Sequence, residues 1–210
     1  MSGSLNNRFE ARGLEIWRGQ RRLLRDFSFA LEAGQLGRLT GPNGSGKTSL
    51  IRVLLGLAMP EQGAIAWCGE DVRTSATYRD AMAYVGHVSG VTDSLSASEN
   101  LRYAASLMAA KPRIPVETAL AEVGLTSVGE RPAATFSAGQ RRRLALARLV
   151  MSPAQLWFLD EPLTNLDTVG TALVANLIQA HLAAGGIAVA ASHQPIDCHP
   201  HTAVDLDLSQ

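Results

Sequence analysis

The 210-residue chain reads as an α/β fold built around a mainly parallel β-sheet, and three features carry that expectation. Short apolar runs rich in β-forming residues alternate with segments of helical periodicity, the pattern of strand and helix layering. One such run, residues 35–40, leads into the glycine-rich stretch GPNGSGKT and then into a helical pattern. Another, LWFLD at residues 156–160, is apolar until it ends in two adjacent carboxylates, Asp160 and Glu161.

Taken in order, Phe27, Phe29 and Leu31 alternate along a half-buried strand that stops at Gly34, and residues 35–40 form the strand before the loop. Residues 49–57 continue as a helix with Leu50, Val53, Leu54 and Leu57 on one face. Residues 63–67 and 83–85 are short strands. Residues 96–128 are rich in Ala and Leu at i,i+3 and i,i+4 spacing, with Pro112 and Pro115 between two helices, and read as a helical insert. A helix over residues 138–151 follows Ser137, then the strand 156–160 and a helix over about residues 169–184 that stops at Gly185 and Gly186. Residues 187–192 are a buried strand, and the alternation of Val204, Leu206 and Leu208 marks an edge strand.

Composition narrows the function classes. With 46% hydrophobic residues the chain can bury a sizeable core, and the apolar residues are too scattered for the roughly 18 consecutive positions of a membrane span. No apolar core follows the N-terminus, so a soluble, cytoplasmic protein is expected. Nineteen basic residues balance nineteen acidic ones, against the strongly basic balance of a broad nucleic-acid footprint. Two cysteines, Cys68 and Cys198, form neither a disulfide framework nor a zinc site by themselves. The bases comprise 17 Arg and only two Lys, Lys47 and Lys111, so each lysine asks for a reason.

Lys47 has one. Gly41, Pro42, Asn43, Gly44, Ser45, Gly46, Lys47 and Thr48 match G-x-x-x-x-G-K-[ST] in full, between an expected strand and an expected helix that Ser49 continues. Glycines let the backbone curl so that its N–H groups face phosphate oxygens, and the helix start adds the positive end of its dipole. Lys47 supplies a compact cation for the β- and γ-phosphates and Thr48 a hydroxyl for Mg²⁺. The strand ending at Asp160 delivers a second Mg²⁺ ligand to the same sheet edge, and Glu161 stands where it can polarise an attacking water. The chain is thus expected to be a P-loop NTPase that holds a nucleoside triphosphate with Mg²⁺.

Further motifs carry a resemblance to the nucleotide-binding subunits of ABC transporters. Phe136-Ser137-Ala138-Gly139-Gln140 resembles their LSGGQ signature, Thr164-Asn165-Leu166-Asp167 their D-loop, and Ser192-His193-Gln194 their switch-histidine segment. In this family the signature binds the γ-phosphate of ATP held by the other subunit. A physical basis is visible, since Ser137 can cap a helix while Ala138 and Gly139 leave backbone N–H groups open to an anion. The resemblance implies an ABC-type ATPase domain with an N-terminal antiparallel β part, a single unit over residues 1–210. Its RecA-like core would span about residues 1–90 and 152–210, and its helical subdomain about residues 91–151.

The resemblance further implies that Lys47, Glu161 and His193 are catalytic and that an aromatic near the N-terminus stacks on adenine. Trp17 is the candidate, its competing reading being an ordinary core or surface tryptophan. Where many family members have a glutamine that binds Mg²⁺ and the attacking water, this chain has His87. Imidazole titrates near neutral pH, so Mg²⁺ coupling is expected to depend on pH. Residues 87–95 are expected to face a transmembrane partner.

Within the family, GHVSGVTDSLSASENL, the signature variant SAGQ followed by RRRLALARL, and GGIAVAASHQP near the end resemble the branch that serves haem delivery in bacterial cytochrome c maturation. The implied assembly is a homodimer of ATPase subunits, peripheral on the cytoplasmic side of the inner membrane. It would touch that membrane only through integral subunits of the CcmB/CcmC kind, with no direct nucleic-acid contact. Cys198, His199 and His201 form a tempting metal or haem cluster, whose bland reading is a solvated loop. Rival readings are a non-transport ABC ATPase acting on nucleic acid or the ribosome, for which Arg141, Arg142 and Arg143 speak, an ATPase of iron–sulfur assembly, and an ABC exporter subunit for another cargo. The arginine run is otherwise expected to be a solvated face or part of the electrostatics around ATP.

Overall fold

The computed structural model describes residues 7–197 and 202–209, so Cys198, His199 and His201 lie outside the described residues. Among the described residues, nine strands and six α-helices form three layers. The strands are β1 (Arg8–Arg18), β2 (Arg21–Glu32), β3 (Leu36–Thr40), β4 (Gln62–Trp67), β5 (Glu70–Asp71), β6 (Met82–Val85), β7 (Leu156–Asp160), β8 (Ile187–Ala191) and β9 (Ala203–Asp207). The helices are α1 (Lys47–Leu54), α2 (Tyr78–Ala81), α3 (Ala97–Ser106), α4 (Val116–Glu122), α5 (Ala138–Met151) and α6 (Thr168–Ala183).

A five-stranded sheet in the order β6-β7-β8-β3-β9, parallel at every pairing, forms the middle layer. Its central strands are buried on both faces, which explains their unbroken apolar sequences. The period of two sorts those side chains. Leu156, Phe158, Ile187 and Val189 face a core shared with α1 and a four-stranded antiparallel sheet, β2-β1-β4-β5. Trp157, Leu159, Ala188 and Ala190 face the opposite core, shared with α3, α4, α5 and α6. Phe9 of β1 seals the first core, packing edge-on to Phe158 at 5.7 Å and stacking on Tyr78 at 6.2 Å.

The fold follows the α/β expectation; besides the short β5 and α2, which the sequence pattern does not include, it differs in two places. The first helix ends at Leu54 rather than at residue 57, and Leu57 is 70% exposed instead of on the buried face. Gly56 takes φ +71°, its N–H bonds to Val53 O and that of Leu57 reaches back to Arg52 O, so the chain turns out of the helix there. The second is β1, an eleven-residue strand with no counterpart in the strand pattern read from the sequence. Its buried apolar residues are Phe9, Ala11, Leu14 and Ile16, and the phase slips between Ala11 and Leu14, where the pairing register shifts beside Gly13 at φ +59°. A bulge of this kind hides a strand from a test of strict alternation.

On the helical side, His181 of α6 stacks on Trp157 of β7 with ring centroids 3.9 Å apart, and its Nε2 meets Ile187 O at 3.1 Å. Burial pushes the imidazole down to about 4, against the opposing pull of the Ile187 carbonyl. The folded chain therefore keeps the ring neutral while the unfolded chain takes up a proton below about pH 6.5. This contribution is complete above that pH and is lost as pH falls toward 4, amounting to about 3 kcal/mol. Urea unfolding of the parent and of His181→Gln across pH 7.5 to 4.5 should show the variant losing less stability on acidification; parallel curves would rule the buried histidine out.

Candidate functional site

Because the sheet is parallel, the carboxyl ends of its strands share one edge, and register aligns them. Leu39 pairs with Ala191, Ala191 with Asp160, and Val85 with Leu159. The loops that leave these strands begin at Gly41, Glu161, Ser192 and Gly86, so four distant sequence segments converge on one edge.

Residues 41–46 curl around the start of α1. Gly41, Gly44 and Gly46 have φ of +132°, +79° and +108°, values that side-chain-bearing residues rarely adopt. A Cβ on Gly41 would also sit 2.9 Å from Ser45 Oγ, a buried hydroxyl with no hydrogen-bond partner. Gly46 caps α1 without any side-chain hydrogen bond, and the first turn carries no acidic residue, so the positive helix end stays open to an anion. Lys47 is 8% exposed, and its ammonium donates to Gly41 O at 2.7 Å and Pro42 O at 3.2 Å. The lysine thus closes the loop on itself and remains within the ring that the loop forms.

Across from it, the Thr48 hydroxyl donates to Asp160 Oδ1 at 3.3 Å, and Asp160 is 3% exposed. Glu161, just past the strand, turns at φ +54°. That turn sends its carboxylate toward the segment after β8, where Oε1 lies 3.3 Å from His193 Nε2 and Oε2 lies 3.4 Å from the His193 amide. These groups bound a cleft of ≈ 250 Å³ lined by Asn43, Gly44, Gly46, Lys47, Thr48, Ser49, Asp160, Glu161 and His193, with Arg18 and Leu23 contributed by the β1–β2 hairpin.

Trp17 does not line this cleft. Its indole N–H donates to Glu15 at 2.8 Å, Arg22 lies over the ring at 5.8 Å, and the side chain next to it, Arg18, lines the cleft instead. His87 is exposed just beyond β6 and is also not part of the lining. The signature residues lie elsewhere on the chain surface. Ser137 begins α5 with a capping box, its Oγ accepting from Gln140 N at 3.1 Å while Gln140 Oε1 accepts from Ser137 N at 2.9 Å. Ala138 is exposed, and Gly139 packs so tightly that a Cβ would come within 2.9 Å of Asn165 O. The start of α5 therefore abuts the 164–167 segment, whose Asp167 caps α6 by accepting from Gly170 N at 2.7 Å.

Within the arginine run on α5, Arg142 departs from the expected solvated face, while Arg141 and Arg143 stay partly exposed. Arg142 is buried, Arg141 pairs with Asp93, and Arg148 donates to the carbonyls of Ser89 and Gly90. Arg142 was legible in the sequence on one criterion, since it continues the stripe of Ala145, Leu146 and Leu149, all buried. With Arg142 buried and Arg141 paired with Asp93, two of the three arginines that spoke for a nucleic-acid role are engaged within the chain.

An anion-ready loop with a buried lysine faces a buried aspartate and a glutamate at the carboxyl edge of a parallel sheet, the architecture of a P-loop NTPase fold. The sequence profile of the ABC transporter family matches residues 24–164. The chain is 43% identical over 95% of its length to a cytochrome c biogenesis ATP-binding export protein CcmA of Nitrosomonas europaea, covering 94% of that protein. It is 47% identical over 89% of its length to the CcmA of Methylococcus capsulatus, covering 91% of it. Among solved structures, an ATP-binding subunit of an ABC transporter superposes with a TM-score of 0.78 at 26% identity, over 88% of this chain and 79% of that one. The chain belongs to the ABC transporter ATP-binding family and, within it, to the CcmA group. It is an ATP-binding, ATP-hydrolysing subunit, and among its described residues no helix is long and apolar enough to cross a membrane.

Lys47→Ala should weaken ATP binding by about 2 kcal/mol or more, the usual effect of truncating one partner of a buried charge contact, roughly thirtyfold in Kd. Calorimetric titration of ATP into parent and variant measures this directly, and equal affinities would remove Lys47 from the phosphate site.

Proposed function

We propose that the chain powers haem delivery in cytochrome c maturation as one of two identical ATPase subunits, peripheral on the cytoplasmic side of the inner membrane and docked on integral subunits of the CcmB/CcmC kind. The observation that carries the ATPase half of this reading is the convergence of Lys47, Thr48, Asp160, Glu161 and His193 on one cleft. The cargo and partners rest on the likeness to CcmA proteins, which are cytochrome c biogenesis export proteins by name.

In this reading Gly41 to Ser49 cradle the triphosphate, with Lys47 leaving the loop carbonyls for the β- and γ-phosphates. Ser137, Ala138, Gly139 and Gln140 of the second copy close the site from the other side, which suits their position outside the cleft. Glu161 takes the proton of the attacking water, and His193, already 3.3 Å from that carboxylate, orients it and faces the γ-phosphate. Thr48 and Asp160 present hard oxygens 3.3 Å apart, a pair suited to Mg²⁺, which keeps most of its other ligands as water and phosphate. The metal would neutralise charge building on the phosphates. His87 takes the place of the glutamine that serves Mg²⁺ and water in many relatives, reaching the site on closure, and Trp17 stands near the adenine end together with Arg18.

The RecA-like core is assigned to about residues 1–90 and 152–210 and the helical subdomain to about residues 91–151. Residues 87–95 are the coupling segment toward the membrane partner. In support, Val88 is 81% exposed, and beyond it Tyr103 of α3 and Leu107 just past its end are exposed as well.

Two measurements test the proposal. Glu161→Gln should retain ATP binding and lower turnover by about 10²-fold or more, as expected for a lost general base; a variant with parental turnover would deprive Glu161 of that role. In a cell fractionation, the chain expressed alone should remain in the supernatant and should move to the membrane pellet when CcmB/CcmC-type subunits are co-expressed. If it stays in the supernatant with them, the transport assignment fails.

A further inference from the structure

Arg142 sits five residues beyond Ser137 on α5, and its guanidinium lies under the catalytic edge of the sheet. Nε donates to Pro162 O at 3.1 Å, Nη1 to Gly86 O at 2.6 Å, and Nη2 to Asp160 O at 3.0 Å and Glu161 O at 2.6 Å. All four acceptors are main-chain carbonyls. Three belong to consecutive residues of the turn that carries Glu161, and the fourth belongs to the residue before His87. The side chain is 4% exposed, and burying a guanidinium without a carboxylate partner is expensive unless its donors are satisfied. Here the planar fork of donors is matched to four carbonyls, a pattern that an ammonium cannot reproduce.

Geometry points from this clamp to Glu161. That residue adopts a left-handed backbone, φ +54°, which persists only where the surroundings over-determine it. Its own N–H bonds to Ala191 O at 2.8 Å, and its C=O, besides accepting from Arg142, accepts from Thr164 N at 3.2 Å. The strand ladder thus fixes one side of the peptide and Arg142 the other, leaving the carboxylate aimed at His193. Burial drags the guanidinium's proton affinity down, while the carboxylates of Asp160 and Glu161 push it back up, so the cation also lies within electrostatic reach of both acids.

We propose that Arg142 is a positioning residue for ATP hydrolysis: through the carbonyls of Asp160, Glu161, Pro162 and Gly86 it holds the Glu161 carboxylate at its working angle and fastens the signature helix to the catalytic edge of the same chain. The proposal rests on the assignment of Glu161 as the base. Since α5 begins with the residues that would meet the second copy's nucleotide, a shift of that helix is transmitted to the turn bearing Glu161.

The test is a double-mutant cycle on the purified full chain, measuring kcat, KM and equilibrium ATP affinity. Arg142→Gln should lower kcat by about 10- to 100-fold, the penalty of a misaimed catalytic group, with ATP affinity changed by less than about threefold. Arg142→Lys should recover part of kcat, and Arg143→Gln should behave as the parent. In the Glu161→Gln background, Arg142→Gln should cause no further loss, because the group it aims is already gone. Parental kcat in Arg142→Gln, multiplicative effects of the two substitutions, or a joint fall of kcat, ATP affinity and thermal midpoint would each overturn the proposal. Parental turnover in Glu161→Gln alone would instead overturn the assignment of Glu161, and this proposal with it. If Arg142→Gln does not fold, Arg142→Lys carries the same cycle.

Discussion

Parallel strands with aligned carboxyl ends are the constraint on which the site depends. Residues 41–48, 160–161 and 192–193 are far apart in sequence and meet only because β3, β7 and β8 run in one direction and pair in a register that ends them together. That arrangement in turn requires both faces of the sheet to be covered, since the central strands have no polar face to offer to water. The antiparallel sheet with α1 covers one face and the layer of α3 to α6 the other. The two cores are therefore a condition of the chemistry, for a strand free to slip by one residue would exchange Phe158 with Trp157 and move Asp160 away from Thr48.

Within that frame, opposite charges are managed by different means. The positive side is made largely of backbone: three left-handed glycines, an uncapped helix start, and a single ammonium parked on carbonyls at 2.7 and 3.2 Å. The negative side is made of side chains whose backbone is anchored from beneath by Arg142. A formal net charge of zero says nothing against an anion site of this kind, because the potential that matters is generated over a few ångströms by oriented dipoles and one lysine.

Much of the site was legible because phosphate recognition leaves little choice of residue. Gly41, Gly44 and Gly46 are required by left-handed backbone, Lys47 and Thr48 by charge and oxygen chemistry, and the apolar run before Asp160 by burial on two faces. What stayed hidden had physical reasons. A bulge at Gly13 broke the alternation of β1, and Gly56 ended α1 a turn before the apolar periodicity did. Arg142 escaped because an arginine between two others looks like solvated charge unless the helix stripe is given precedence over composition. The side chains that the hairpin brings to the cleft, Arg18 and Leu23, depended on the facing of β1 and β2, which no local pattern disclosed.

The helix that carries the arginines also explains how the chain can work as a relay. From one end to the other, α5 grips the segment proposed to face the membrane partner and the carboxyl edge of the sheet at once: Arg141 holds Asp93, Arg142 holds Gly86 and the 160–162 turn, and Arg148 holds Ser89 and Gly90. Asn100 secures the same segment from α3, accepting from Thr92 N and donating to the carbonyls of Thr92, Leu95 and Ser96. Residues 86–96 thus have little helix or strand of their own, yet they are fixed by side chains from two helices and cannot move without moving α5 or α3. A loop held this way transmits displacement instead of absorbing it. That property suits the proposed docking on a membrane partner, and it rests on hydrogen bonds from helix side chains to the backbone of the loop.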